Sequence, residues 1–186
     1  MEALLVSIAI VALAEVGDKT QLLTLILATR YQRPWPIIAG IFVATLVNHA
    51  IAGALGAWLT NVIGPEAMRW ILGASFIAMA AWMLLPDKLD AAAGASRKLG
   101  GIFVTTTILF FLVEIGDKTQ IATVALAARF DSLVAVVMGT TAGMILANAP
   151  VAFFGDALAK RLPVRMVHIV AALVFAALGI GVMVLG

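Results

Sequence analysis

Glu15-Val16-Gly17-Asp18-Lys19-Thr20-Gln21 is a charged string set inside an apolar one, and it returns as Glu114-Ile115-Gly116-Asp117-Lys118-Thr119-Gln120. LLVSIAIVALA and GIFVTTTILFFLV lead into the two copies, and LLTLILA and IATVALAA follow them. A charge in lipid costs roughly 2.5 to 3.5 kcal/mol on insertion scales, so a chain that places charges there twice is using them. We read the two strings as halves of one ion-binding site.

Composition sets the class around them. Of 186 residues, 63% are hydrophobic and 12% charged, against about 25% charged in soluble domains. That is an integral membrane protein of the all-α kind. The net charge of +2 does not point to nucleic acid, because the basic residues outside the strings lie in connections between apolar runs. With no cysteine, disulfides, thiolate metal ligation and thiol nucleophiles are all excluded, leaving oxygen and imidazole as ligands. The chain also lacks HExxH, G-x-S-x-G and a Cys/His pair, so the expected activity is transport rather than catalysis, with no cofactor. The Met-Glu start lacks a basic n-region and the apolar run continues past Gln21, so the first segment reads as a mature membrane helix.

A span needs about 20 mostly apolar residues, and six candidates fit. They run from about Ala3 to Thr29, Pro36 to Val62, Ala67 to Leu85, Gly101 to Arg129, Leu133 to Leu158 and Val164 to Leu185. The polar stretch 86–100, with Asp87, Lys88, Asp90, Arg97 and Lys98, is the linker between a first repeat (1–85) and a second (101–186). Glu15 and Glu114, Asp18 and Asp117, Gln21 and Gln120, and Gly40 and Gly139 all share an offset of 99, while Asn48 and Asn148 match with a slip of one. This is duplication. Three helices per repeat is an odd number, so the second repeat is expected upside down relative to the first, giving two inverted three-helix repeats with the site between them at mid-membrane.

Arg30, Arg33, Lys88, Arg97, Lys98, Lys160, Arg161 and Arg165 fall in the connections after the first, third and fifth spans, against Arg69 and Arg129 on the opposite side. The positive-inside rule then makes those three connections, linker included, cytoplasmic and both termini extracytoplasmic.

On a continuous helix Glu15, Asp18 and Gln21 share one face, as do Glu114, Asp117 and Gln120. Gly17 and Gly116 allow close helix approach or a local break that exposes carbonyls. Thr20 and Thr119 point away from the acids unless such a break turns them. Asn48 and Asn148 read equally as added ligands or as interhelical hydrogen-bond partners. Carboxylates, amides and carbonyls suit hard divalent cations: calcium, manganese and magnesium, but not copper(I). Four carboxylates against Lys19 and Lys118 leave −2, which one divalent ion or two protons would neutralise; a site filled by either, never both, is an exchanger. Lys19 and Lys118 read as snorkelling anchors, partners of Asp or gating cations. His49 has no counterpart in the second half, where Ala149 and Pro150 follow Asn148, and reads as packing or as a proton relay. His168 reads as interfacial, and Asp156 has no acidic partner at the matching depth.

The doubled Glu-x-Gly-Asp-Lys-Thr, one copy per half, resembles the signature of the GDT-type cation/proton exchangers, which include Golgi manganese and calcium transporters and bacterial exporters of the MneA type. The resemblance covers essentially the whole chain. It implies six helices in two inverted repeats, exchange of Mn²⁺ or Ca²⁺ against protons, and Glu15, Asp18, Glu114 and Asp117 at the ion site, with Thr20 and Thr119 also matching. The compact length is similar to the bacterial members, which implies manganese efflux across the inner membrane. The partners expected are a divalent ion, protons and the bilayer, a homo-oligomer being left open. A Ca²⁺/H⁺ antiporter and a small-solute exporter of the lysine-exporter type are the alternatives.

Overall fold

The structure is a computed structural model that describes residues 1–85, 100–155 and 163–185. The described residues form eight helices: α1 (Glu2–Glu15), α2 (Lys19–Tyr31), α3 (Pro34–Val62), α4 (Pro65–Met83), α5 (Ile102–Glu114), α6 (Lys118–Arg129), α7 (Leu133–Phe154) and α8 (Val164–Leu185). Proline opens α3 and α4, where a missing N–H costs nothing. Gln32, in the left-handed region at φ 53°, ends α2 with its N–H on the Ala28 carbonyl. Ser132 begins α7 by accepting from the Ala135 N–H at 3.3 Å.

Two spans expected as continuous, Ala3 to Thr29 and Gly101 to Arg129, are each broken in two. Gly17 takes φ 82° and Gly116 φ 74°, a left-handed conformation that glycine adopts without a Cβ penalty and that no α-helix tolerates. The break is also signalled by chemistry. Asp18 and Asp117 occupy the N-cap positions of α2 and α6, and Gln21 and Gln120 stand three residues later. Their Oε1 atoms accept from the Gly17 and Gly116 N–H groups at 2.9 and 2.7 Å. Each glutamine thus reaches back across the break from the first turn of the new helix, as the third residue of a capping box does, without the reciprocal bond from the aspartate. The single-face placement of Glu, Asp and Gln fails for the same reason, since residues 16–18 are not helical. The fifth expected span, α7, ends at Phe154; the last residues of its expected run to Leu158, Asp156 among them, and Lys160 and Arg161 after it, lie outside the described residues, as does linker 86–99.

α3, α7 and α8 are long and apolar enough to cross a membrane, with mean hydropathies of 1.9, 1.6 and 2.5; α5 is a shorter apolar helix. The halves interlock. α1 packs along α7, α5 along α3, α4 on α8, and α3 crosses α7. These approaches run over small residues, as membrane helices do when backbones come close. A Cβ on Gly40 would stand 2.7 Å from Thr106 Cβ, and one on Gly139 would stand 2.8 Å from Ser7 Cβ. Both pairs obey the offset of 99 seen in the motifs. Large apolar side chains such as Val47, Ile51, Leu55, Leu112, Leu146 and Leu173 face outward, while Ser7, Thr45, Thr105, Thr106, Thr140 and Thr141 are buried. Apolar outside with hydroxyls inside is the arrangement lipid selects.

Candidate cation site

Each break brings a helix end to the middle of the bundle. α2 and α6 start there, so the positive ends of two helix dipoles meet the acidic side chains. One carboxylate oxygen each from Glu15, Asp18 and Asp117 lie within 4.8 Å of one another, all three residues being buried. Two come from the first motif and one from the second. Sequence positions about a hundred apart are joined only because α1 lies on α7 and α5 on α3.

Glu15 is held by Asn148, whose Nδ2 donates to Oε1 at 2.9 Å, and by the Thr20 hydroxyl, which donates to the same oxygen. Asn148 is itself fixed, donating to the Met144 carbonyl at 3.1 Å and accepting from Thr24 at 2.5 Å. The other oxygen of Glu15, Oε2, is buried with no hydrogen-bond partner among the described residues. A buried carboxylate oxygen in that position is costly unless something cationic or protic visits it.

Asp117 accepts from Thr119 at 3.2 Å and faces Lys19, whose Nζ lies 3.2 Å from Oδ1. Unwinding has therefore turned both threonines toward acids. Gln21 and Gln120 give their carbonyl oxygens to the backbone, and Gln21 Nε2 donates to the Ala147 carbonyl at 3.0 Å. Gln21 is buried; Gln120 is half-buried.

Glu114 is not among the three gathered acids. Asn48 donates to its Oε2 at 3.2 Å and to the Phe111 carbonyl at 3.1 Å, and Thr45 donates to Oε2 at 3.3 Å. His49 Nε2 lies 2.9 Å from Oε1, close but off the line of a hydrogen bond. Asn48 and Asn148 thus perform reciprocal tasks on Glu114 and Glu15, and the one-residue slip does not disturb them. Thr45 and His49 went unassigned or half-assigned at the sequence level; the sign was their position three residues before and one after Asn48, on the face that meets Glu114. His168 Nε2 donates to the Val16 carbonyl at 2.7 Å, and with Val164 this histidine closes the space a Gly17 side chain would need.

Apolar helices of spanning length around a buried cluster of acids define the class, a helical membrane protein with an acidic interior. The family described as "Divalent cation/proton antiporter GDT1" matches residues 3–91 and 102–186, and the chain belongs to that family, one of transporters rather than enzymes. A Vibrio cholerae protein named "Putative manganese exporter" is 51% identical over 94% of this chain and 87% of its own length. A GDT1-like protein of Synechocystis is 30% identical over 89% of each chain. GDT1-like protein 3 of Arabidopsis thaliana is 27% identical over 94% of this chain and 68% of its own. No solved structure matches the chain.

Proposed function

We propose that this protein exports Mn²⁺ from the cytoplasm in exchange for protons, at a mid-membrane site between two inverted three-helix repeats. The observation that carries the reading is the meeting of Glu15, Asp18 and Asp117 within 4.8 Å inside an apolar bundle. Three carboxylates crowd −3 into that point, more than the one Lys19 ammonium offsets. A divalent cation or protons can each relieve the excess, and taking turns at it is the alternation an antiporter needs. Manganese as cargo follows the name of the Vibrio cholerae relative; the oxygen donors suit it and suit calcium as well.

In this reading α1–α2 and α5–α6 are broken spans, so that six spans arise from residues 1–85 and 101–186. Helix breaks at membrane depth are tolerated where they line an ion site rather than face lipid. Asn48, Asn148, Thr20 and Thr119 orient the acids, Gln21 and Gln120 hold the breaks open, and Glu114 completes the acidic set on the second side. The bias of basic residues sets both termini outside the inner membrane of a bacterium. Because the chain has no cysteine, single cysteines at Gln32 and Glu66 test this: only the second should react with an impermeant thiol reagent from outside.

The function is tested in proteoliposomes carrying a pH-sensitive dye. Mn²⁺ added on one side should drive protons to that side, and cells producing the protein should hold less manganese, with Ca²⁺ and Mg²⁺ run in parallel. Metal movement without proton counter-movement would remove the antiport reading.

A further inference from the structure

The two motif lysines are identical in sequence and held differently. Lys118 is wholly buried; its Nζ donates to the Leu85 carbonyl at 3.3 Å and lies 5.9 Å from the centre of the Trp82 ring. It is anchored to α4 and its C-terminal end. Lys19 instead reaches from the first half to an acid of the second, with Nζ 3.2 Å from Asp117 Oδ1, and its side chain remains 24% exposed while that of Asp117 is 2% exposed. Its ammonium stands against one acid of the three-carboxylate cluster, on a side chain that is partly exposed where that of Lys118 is buried.

We propose that Lys19 is a tethered counter-cation: its ammonium neutralises Asp117 while the cluster holds no metal, and a divalent ion displaces it toward solvent. Three carboxylates so close repel one another, and a compact ammonium relieves the repulsion. Lys19 faces one oxygen of Asp117 and Thr119 donates to the other, and two cations on one carboxylate repel, so the two occupancies exclude each other. The exchange requires only rotation of the lysine stem. On the return step the same ammonium competes for Asp117 and helps expel the ion, so Lys19 weakens binding and speeds release. The anchored Lys118 has no such freedom. This role rests on the carboxylate cluster being the metal site.

The test uses the purified full-length protein in detergent. In the wild type, an amine-reactive reagent read by mass spectrometry should label Lys19 severalfold faster when Mn²⁺ is added, with Lys118 unchanged; labelling of Lys19 that stays level or falls with Mn²⁺ overturns the proposal. Lys19→Gln should bind Mn²⁺ about tenfold tighter by calorimetry and turn over more slowly in proteoliposomes, while Lys19→Arg binds like the wild type. Equal or weaker binding by Lys19→Gln also overturns it. Glu15→Gln separates the two levels of argument: if it binds Mn²⁺ like the wild type, the site itself is wrong, whereas loss of binding there with no tightening in Lys19→Gln rejects the counter-cation alone.

Discussion

His49 Nε2 lies 2.9 Å from Glu114 Oε1 with both side chains wholly buried, and the place corresponding to His49 in the second half is Ala149. The duplicated glutamates consequently sit in unlike surroundings. Both glutamates are hydrogen-bonded on one oxygen only, but the other oxygen of Glu114 faces the His49 ring at 2.9 Å, whereas no ring nitrogen stands against the other oxygen of Glu15 among the described residues. Sequence identity between the motifs does not make the two acids equivalent.

Removing His49 should therefore cost stability before it costs metal binding. His49→Ala strips Glu114 of its nearest polar neighbour and leaves a cavity, a loss of about 1 to 3 kcal/mol. His49→Gln, which keeps a donor, should recover much of it. Thermal unfolding in detergent, with Mn²⁺ binding measured alongside, checks both.

The two glutamates should separate under isosteric substitution. Glu15→Gln keeps the oxygen that accepts from Asn148 but takes a charge out of the cluster, so Mn²⁺ affinity should fall at least tenfold, about 1.4 kcal/mol or more. Glu114→Gln removes a charge outside the gathered three and should change affinity less. Calorimetry on the two variants ranks them; equal losses would show that Glu114 also ligates.

Alanine at the two glycines should be unequal as well. Both positions have positive φ, which costs an L-residue about 1 to 2 kcal/mol. At Gly17 the new Cβ would also run into Val164, while at Gly116 nothing lies within 4 Å. Gly17→Ala should be the more destabilised of the two by thermal melting, and the only one to disturb the His168 contact with Val16.

Loss of the capping amide should follow burial. Gln21→Ala strands the Gly17 N–H and the Ala147 contact inside the protein, at about 1 to 3 kcal/mol. Gln120→Ala frees the Gly116 N–H too, but Gln120 is only half-buried and makes no second contact like that of Gln21 to Ala147 among the described residues, so its loss should be smaller. Comparing the two unfolding midpoints decides it.

A good part of this was legible in the chain. Hydropathy and the absence of cysteine gave an apolar helical protein with oxygen-donor chemistry, and the offset of 99 paired Gly40 with Gly139 before either was seen against Thr106 or Ser7. The helix breaks were legible only as one of two uses for Gly17 and Gly116, because apolar periodicity runs straight through them, both sides of each break being equally apolar. The division of the four acids into three and one was not legible. It depends on which side chains α3 and α7 turn toward the breaks, and the decisive difference, His49 against Ala149, has meaning only once Glu114 is seen beside it.

The sequence by itself determined that charges had to be buried and which ones, since their cost in an apolar chain admits no accidental placement. Only the tertiary structure decided which of them share a space, because packing between helices far apart in the chain brings Asp117 within 4.8 Å of Glu15 and Asp18. Local sequence fixes where a helix stops; the distance between two carboxylates is set by the backbones that carry them.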